Sequence, residues 1–330
     1  MAQAPAPRHL LVLGLLALGA PSTPGADWTE VKSPHFVVRS DVGTKDARRI
    51  ALRFEQIRAV LQQRWPWARL DPGRGLLVVA TRDVSSFEKL LPTLHERRGQ
   101  AMVAGVFQRG LDKHLVVLRA DASKAAAEFG YFANPYHTIY HEYVHLVLAL
   151  NFGDIPAWLS EGLAEYWGET EIDGDRLTLG QPIPGHVMLL RQRDLLPPSV
   201  LFGVSDESPH YWERGKAEIF YAQSWALVHY LISEGPSGEH NALNRYVRLL
   251  KEGETPANAG KQALPPPDVL AKGLDSYLGR LVFKYRTGKA PLSDRSASDY
   301  EERRLSPAEV RALQGEILAR FARSLSLIHI

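Results

Sequence analysis

A chain of 330 residues, 45% apolar and 23% charged, can bury one large core or two modest ones. Its 39 basic residues nearly cancel its 37 acidic ones, leaving a net charge of +2, and no long Lys/Arg run is present, which argues against a dedicated nucleic-acid surface. Cysteine is absent, so disulfides and thiolate-held zinc are excluded and any zinc must be held by His, Asp or Glu.

The N-terminus reads as a targeting segment. Arg8 and His9 precede an apolar stretch over 10–20 that is too short to span a bilayer, and the small pair Gly25-Ala26 precedes Asp27. The expectation is a signal peptide over 1–26, an exported (periplasmic or secreted) chain, and no stable membrane insertion after processing. A buried N-terminal helix is the alternative.

Residues 27–125 are expected to form an α/β lobe. Phe36-Val37-Val38 is a short strand. Ile50, Phe54, Ile57 and Leu61 recur on one helical face, ended by Trp65-Pro66. Residues 76–80 form a buried strand after the Asp71-Pro72-Gly73 turn, and 103–107 with 115–118 form a hairpin around Arg109-Gly110. From about residue 134 the chain turns helical, and 126–290 is expected to be a helical lobe. It carries helices over 135–150, 156–167, 216–233, 239–252 and from the Pro265–Pro267 run to Tyr285, with loops and short strands over 172–212. Residues 287–304 read as a linker. Ser306-Pro307-Ala308-Glu309 is a capping-box start for a helix with Val310, Leu313, Ile317 and Phe321 on one face. Nothing follows for that helix to pack against, so 291–330 reads as a linker and the start of a helical segment in a truncated or non-native tail.

The chemistry concentrates in two adjacent helices. In His141-Glu142-Tyr143-Val144-His145 the two imidazoles stand at i and i+4, one above the other on a helix, where they can converge on one cation. Glu142 lies about 100° round the helix, beside such a cation, where a general base for water belongs. In the next helix Glu161 and Glu165 again share a face. Two like charges on a half-buried face are unfavourable unless something positive neutralises them.

HEYVH followed by WLSEGLAEY resembles the gluzincin pattern of zinc metallopeptidases. It is most similar to peptidase MA-like proteins and more distantly to the aminopeptidase N and thermolysin families. The likeness is clear over about 134–232. It implies an α+β, zincin-like (thermolysin-like) two-lobe fold and a bound Zn2+. It also implies His141, His145 and Glu161 as ligands, Glu142 as base, and Glu165 behind them orienting a ligand His. The 15 residues between His145 and Glu161 are fewer than those families usually have. Glu165 fits the usual interval better, whereas the residues flanking Glu161 match, so Glu161 is preferred and Glu165 stays open. Tyr221, in Phe220-Tyr221-Ala222-Gln223, resembles the segment carrying an oxyanion-stabilising tyrosine, an ordinary core tyrosine being the alternative and Tyr211 a fallback.

The implied activity is zinc-dependent hydrolysis of peptide bonds in a peptide or protein substrate, with the strand over 103–107 as the sheet edge that holds it. The rival is a catalytically silent zincin-fold binding or scaffold protein with C-terminal helical repeats. The remaining signals are weaker. His137, one turn before His141, reads as a surface residue or a support. His210 and His229 read as core or surface histidines, and Glu169, Glu171, Asp173 and Asp175 as a solvated acidic loop. Trp158, Trp167 and Trp225 read as core. Ser160 lacks the glycines of a nucleophile elbow, and no glycine-rich phosphate loop is present.

Overall fold

The structure, a computed structural model, describes residues 27–73, 75–92, 104–110, 112–153, 155–205, 207–213, 215–235, 241–291 and 297–323. The signal-peptide reading of 1–26, Val103 of the predicted hairpin and the tail beyond 323 lie outside these residues.

β1 (Thr29–Lys32) and β2 (Val37–Ser40) form an antiparallel pair and lead into α1 (Thr44–Arg64). All four predicted face residues of α1 are buried, each contributing on the order of 1.5–3 kcal/mol. The helix stops at Trp65, before the proline that disfavours a further helical residue. β3 (Gly75–Thr81), α2 (Val84–Leu90), β4 (Gly105–Gln108), β5 (Lys113–Arg119) and α3 (Ala122–Glu128) follow. α2 escapes the periodicity reading because it is short; Asp83 starts it by accepting from the Ser86 N–H at 2.8 Å.

The main sheet has the order β4-β5-β3-β2-β1-β9, where β9 is Glu301–Arg304, with β3 parallel to both β2 and β5 and the other pairs antiparallel. Among the described residues β4 is therefore an edge strand. Strand alternation sends Val78, Ala80, Val116 and Leu118 to the face covered by α1, and Leu77, Val79 and Val117 to the other.

The second half of the chain is mostly helical. α4 (His137–Asn151) and α5 (Ala157–Gly168) are packed together, and α4 is buried all round except at its end. β6 (Glu171–Asp173) and β7 (Arg176–Leu179) form a hairpin, and then come α6 (Pro184–Gln192), α7 (Pro198–Gly203) and α8 (Pro209–Trp212). Sequence reading had this stretch as loops and strands, yet each of its three helices begins at a proline, which suits a first-turn position. α9 (Lys216–Glu234), α10 (Ala242–Lys251), α11 (Pro256–Ala263) and α12 (Pro267–Leu278) follow. α12 ends before the predicted Tyr285, and β8 (Arg286–Lys289) joins β7 in a three-stranded sheet. No helix among the described residues is long and apolar enough to cross a membrane.

The C-terminal segment departs most from expectation. β9 (Glu301–Arg304), predicted as linker, pairs antiparallel with β1. Its Arg303 joins Arg39 in donating to the buried carboxylate of Glu30. The capping box forms, with Glu309 Oε2 accepting from the Ser306 N–H at 2.8 Å, and opens α13 (Pro307–Arg323). α13 has a partner after all. Leu313, Ile317 and Phe321 cover the second sheet face with Leu77, Val79, Leu90 and Trp28. The architecture is a mixed α+β fold, with a sheet covered on both faces and a large helical part.

Candidate metal centre

α4 lies on the sheet side of α5, so its HEYVH face and the glutamate face of α5 look at each other. His141 Nε2 and His145 Nε2 stand 3.1 Å apart. Glu161 Oε2 lies 3.6 Å from the first and 3.4 Å from the second. Three donors at ~2.0–2.1 Å from one tetrahedral cation would be separated by ~3.3 Å. All three side chains are buried, and among the described residues Glu161 Oε2 has no hydrogen-bond partner. A buried carboxylate oxygen with nothing to accept from is costly, and a cation placed among these atoms would remove that cost. The residues present therefore fit zinc.

Neighbours hold each of these three side chains in place. Ser160 Oγ lies 3.0 Å from His145 Nδ1, and the Tyr211 hydroxyl donates to Glu161 Oε1 at 2.5 Å. Glu165 lies against the other nitrogen of His141, with Oε1 3.6 Å from Nδ1. Its Oε2 is 3.0 Å from His186 Nε2 and 3.2 Å from His137 Nε2. His137 then passes the chain of contacts to Glu169 at 2.9 Å, and Glu169 accepts from the backbone N–H groups of Ala133 and Asn134. The loop entering α4 is thereby clasped to the end of α5. Phe132 stacks on the His137 ring at 3.8 Å, and Gly168 leaves room for that ring, since a Cβ there would come within 2.6 Å of it.

Glu142 is wholly buried and faces the edge strand. A Cβ on Gly105 of β4 would fall 2.3 Å from Glu142 Oε1, so only glycine lets the strand edge approach this carboxylate.

The charges are set by this packing. Burial, aided by His145, pushes His141 below its ordinary value against the pull of Glu161 and Glu165, which favours the neutral, ligating imidazole. Burial opposes ionisation of Glu161, but the facing His145 and His141 outweigh it and hold the carboxyl at about 2. Glu165 is likewise held well below the usual range by His186 and His137 despite its burial. For His137, burial is overcome by Glu165 and Glu169, which raise it to about 9.

Thus the structure gathers His141, His145, Glu161, Glu142 and Glu165, all buried, within two helices. Tyr221 is half-buried, with its ring 6.0 Å from that of Tyr211, and the Tyr211 phenol touches the cluster at Glu161. His137 and Glu169, read as a support or surface residue and as part of a solvated loop, are both buried in the network. Glu171 and Asp173 lie in the β6–β7 hairpin. His229 is a core residue, between Tyr277 Oη and the Gly180 carbonyl. Sequence reasoning missed His186, Tyr131 and Gly105. His186 and Tyr131 are 3.1 Å apart but 55 residues apart in the chain, so no spacing rule connects them.

An α+β chain with a buried His/Glu cluster across two helices is the class that fold and site define. Residues 136–250 match a family described as "Protein of unknown function (DUF1570)". The match contains His141, Glu142, His145, Glu161, Glu165, Tyr211 and Tyr221, and leaves out the main sheet. No curated protein matches the chain.

Proposed function

We propose that this chain is an exported zinc-dependent hydrolase of peptide bonds. In this reading the fold is a zincin-like two-lobe arrangement, with the substrate cleft between the β4 edge and the helical part. The observation that carries the reading is the convergence of His141 Nε2, His145 Nε2 and Glu161 Oε2 at tetrahedral spacing, with Glu142 alongside. Export rests on the targeting character of residues 1–26.

His141, His145 and Glu161 would hold the ion, and Glu165 orients His141 through Nδ1. Zinc when bound supplies Lewis acidity, polarising the substrate carbonyl and acidifying water. A Glu142 carboxylate oxygen takes the proton of the attacking water and returns it to the leaving amine. The β4 edge offers main-chain groups to an extended peptide beside that carboxylate. Tyr221 donates to the developing oxyanion from the wall that also holds Tyr211.

The test is metal analysis of the full-length protein together with cleavage of a quenched-peptide panel with and without chelator. One zinc per chain and chelator-sensitive cleavage are expected, with Glu142→Gln keeping the metal and losing the cleavage. Undiminished cleavage by Glu142→Gln, or failure to retain zinc, would refute the mechanism.

A further inference from the structure

On the side of α4 and α5 away from the ligand cluster lies a cavity of about 880 Å³, within the size range of small-molecule sites. No cluster residue lines it. Its lining is largely apolar: Phe152 follows α4, Trp167 is on α5, Leu177 and Leu179 are on β7, and Leu243 is on α10. Trp67, 39% exposed, stands at the mouth against Phe152, with ring centroids 5.9 Å apart.

The rim has the opposite character. Arg64, Arg245, Arg248, Lys251 and Arg286 also line it and are all exposed, and Glu252 is the one carboxylate among the lining residues. None of the five cations forms a salt bridge among the described residues. Lys251 Nζ lies 4.1 Å over the Trp67 ring, and Arg245 and Arg286 donate to backbone carbonyls. Five cations drawn from α1, α10 and β8, against the single carboxylate of Glu252, give the opening a net positive charge. An apolar chamber under a cationic rim is complementary to a molecule with a hydrocarbon body and an anionic head.

We propose that this cavity is a binding site for a single-chain fatty-acyl carboxylate. The acyl chain lies against Phe152, Trp167 and the β7 leucines, and the carboxylate sits among the rim arginines. The site is independent of the metal centre and of the hydrolase reading.

The test is calorimetric titration of the full-length protein with dodecanoate, its uncharged methyl ester and inorganic phosphate. Dodecanoate should bind saturably with one molecule per chain, and the ester at least roughly tenfold more weakly for want of charge-assisted contacts. Phosphate should not compete. Arg64→Glu with Arg248→Glu, two exposed rim positions without ion-pair partners, should weaken dodecanoate by roughly tenfold or more and leave the melting curve unchanged. Val247→Trp, placed in the lining, should block the chamber by volume and serves as a second variant should the charge reversal disturb folding. Absence of saturable dodecanoate binding, equal binding of the ester, full competition by phosphate, or unchanged affinity in both variants would each overturn the proposal. So would preferential binding of an acidic peptide.

Discussion

Replacing Gly162 by alanine tests how the cluster is held. In a helix this change ordinarily stabilises by ~1 kcal/mol, because alanine restricts the unfolded chain and has the higher propensity. Here the helix is α5, and a Cβ at 162 would fall 2.4 Å from the Ser224 carbonyl oxygen and 2.6 Å from Val228 Cγ2, both on α9. Ordinary contact begins at 3.4 Å, so α5 and α9 would have to separate by about 1 Å, and the obstacle is backbone that cannot rotate away. Overpacking of this kind costs ~1–3 kcal/mol, which outweighs the propensity gain. Set against the ~1 kcal/mol gain, the expected net effect is a loss of up to ~2 kcal/mol. Glu161 precedes the substituted residue and Ser160 touches His145, so the shift also displaces a ligand and weakens metal binding. Gly315→Ala in α13 is the control: nothing lies within 4 Å of its Cβ, so it should stabilise by ~0.5–1 kcal/mol. Urea unfolding midpoints of the two variants are the assay. A Gly162→Ala protein shifted in the same direction as Gly315→Ala would refute the close-packing argument.

The other predictions concern ligands, phenols and acid stability. His141→Ala and His145→Ala should abolish zinc retention, and Glu161→Ala should weaken competitive zinc binding more than Glu165→Ala, whose loss of a supporting contact is expected to cost ~10–100-fold. The reverse order would move the ligand assignment to Glu165. Tyr221→Phe should lower kcat by ~100–1,000-fold with zinc retained, whereas Tyr211→Phe removes a donor to Glu161 and should show first in zinc affinity; a Tyr221→Phe kcat near the parent value would exclude the oxyanion role. Burial holds His229 at about 4, against an ordinary value of 6.5, so the folded state keeps it neutral while the unfolded state takes up a proton. Its contribution is complete above pH 6.5 and is lost as pH falls through about 4, on the order of 3 kcal/mol in all. His229→Gln should flatten this part of a melting-temperature profile, and an unchanged acid slope would refute the assignment.

What the sequence determined by itself was local. The i, i+4 histidines, the i, i+4 glutamates and the face residues of α1 follow from a helical period that needs no knowledge of the fold. The capping box at Ser306 was legible from its own four residues, and the α+β class was what the family resemblance implied. Contacts between distant segments were not. Glu169 reads as a solvated acid until its carboxylate meets His137 and two backbone N–H groups 32 to 36 residues away. Residues 301–304, Glu-Glu-Arg-Arg, carry no strand signal, yet they pair with β1 because its open edge offers unpaired backbone groups and Glu30 offers a charge. Which carboxylate closes on the two histidines was equally undecidable from spacing. The loop length allowed Glu161 or Glu165, and it is the crossing of α5 over α4 that sets Glu161 against Nε2 of both histidines and Glu165 against Nδ1 of one. Periodicity places a side chain on a face of its helix; only packing between helices decides what that face meets.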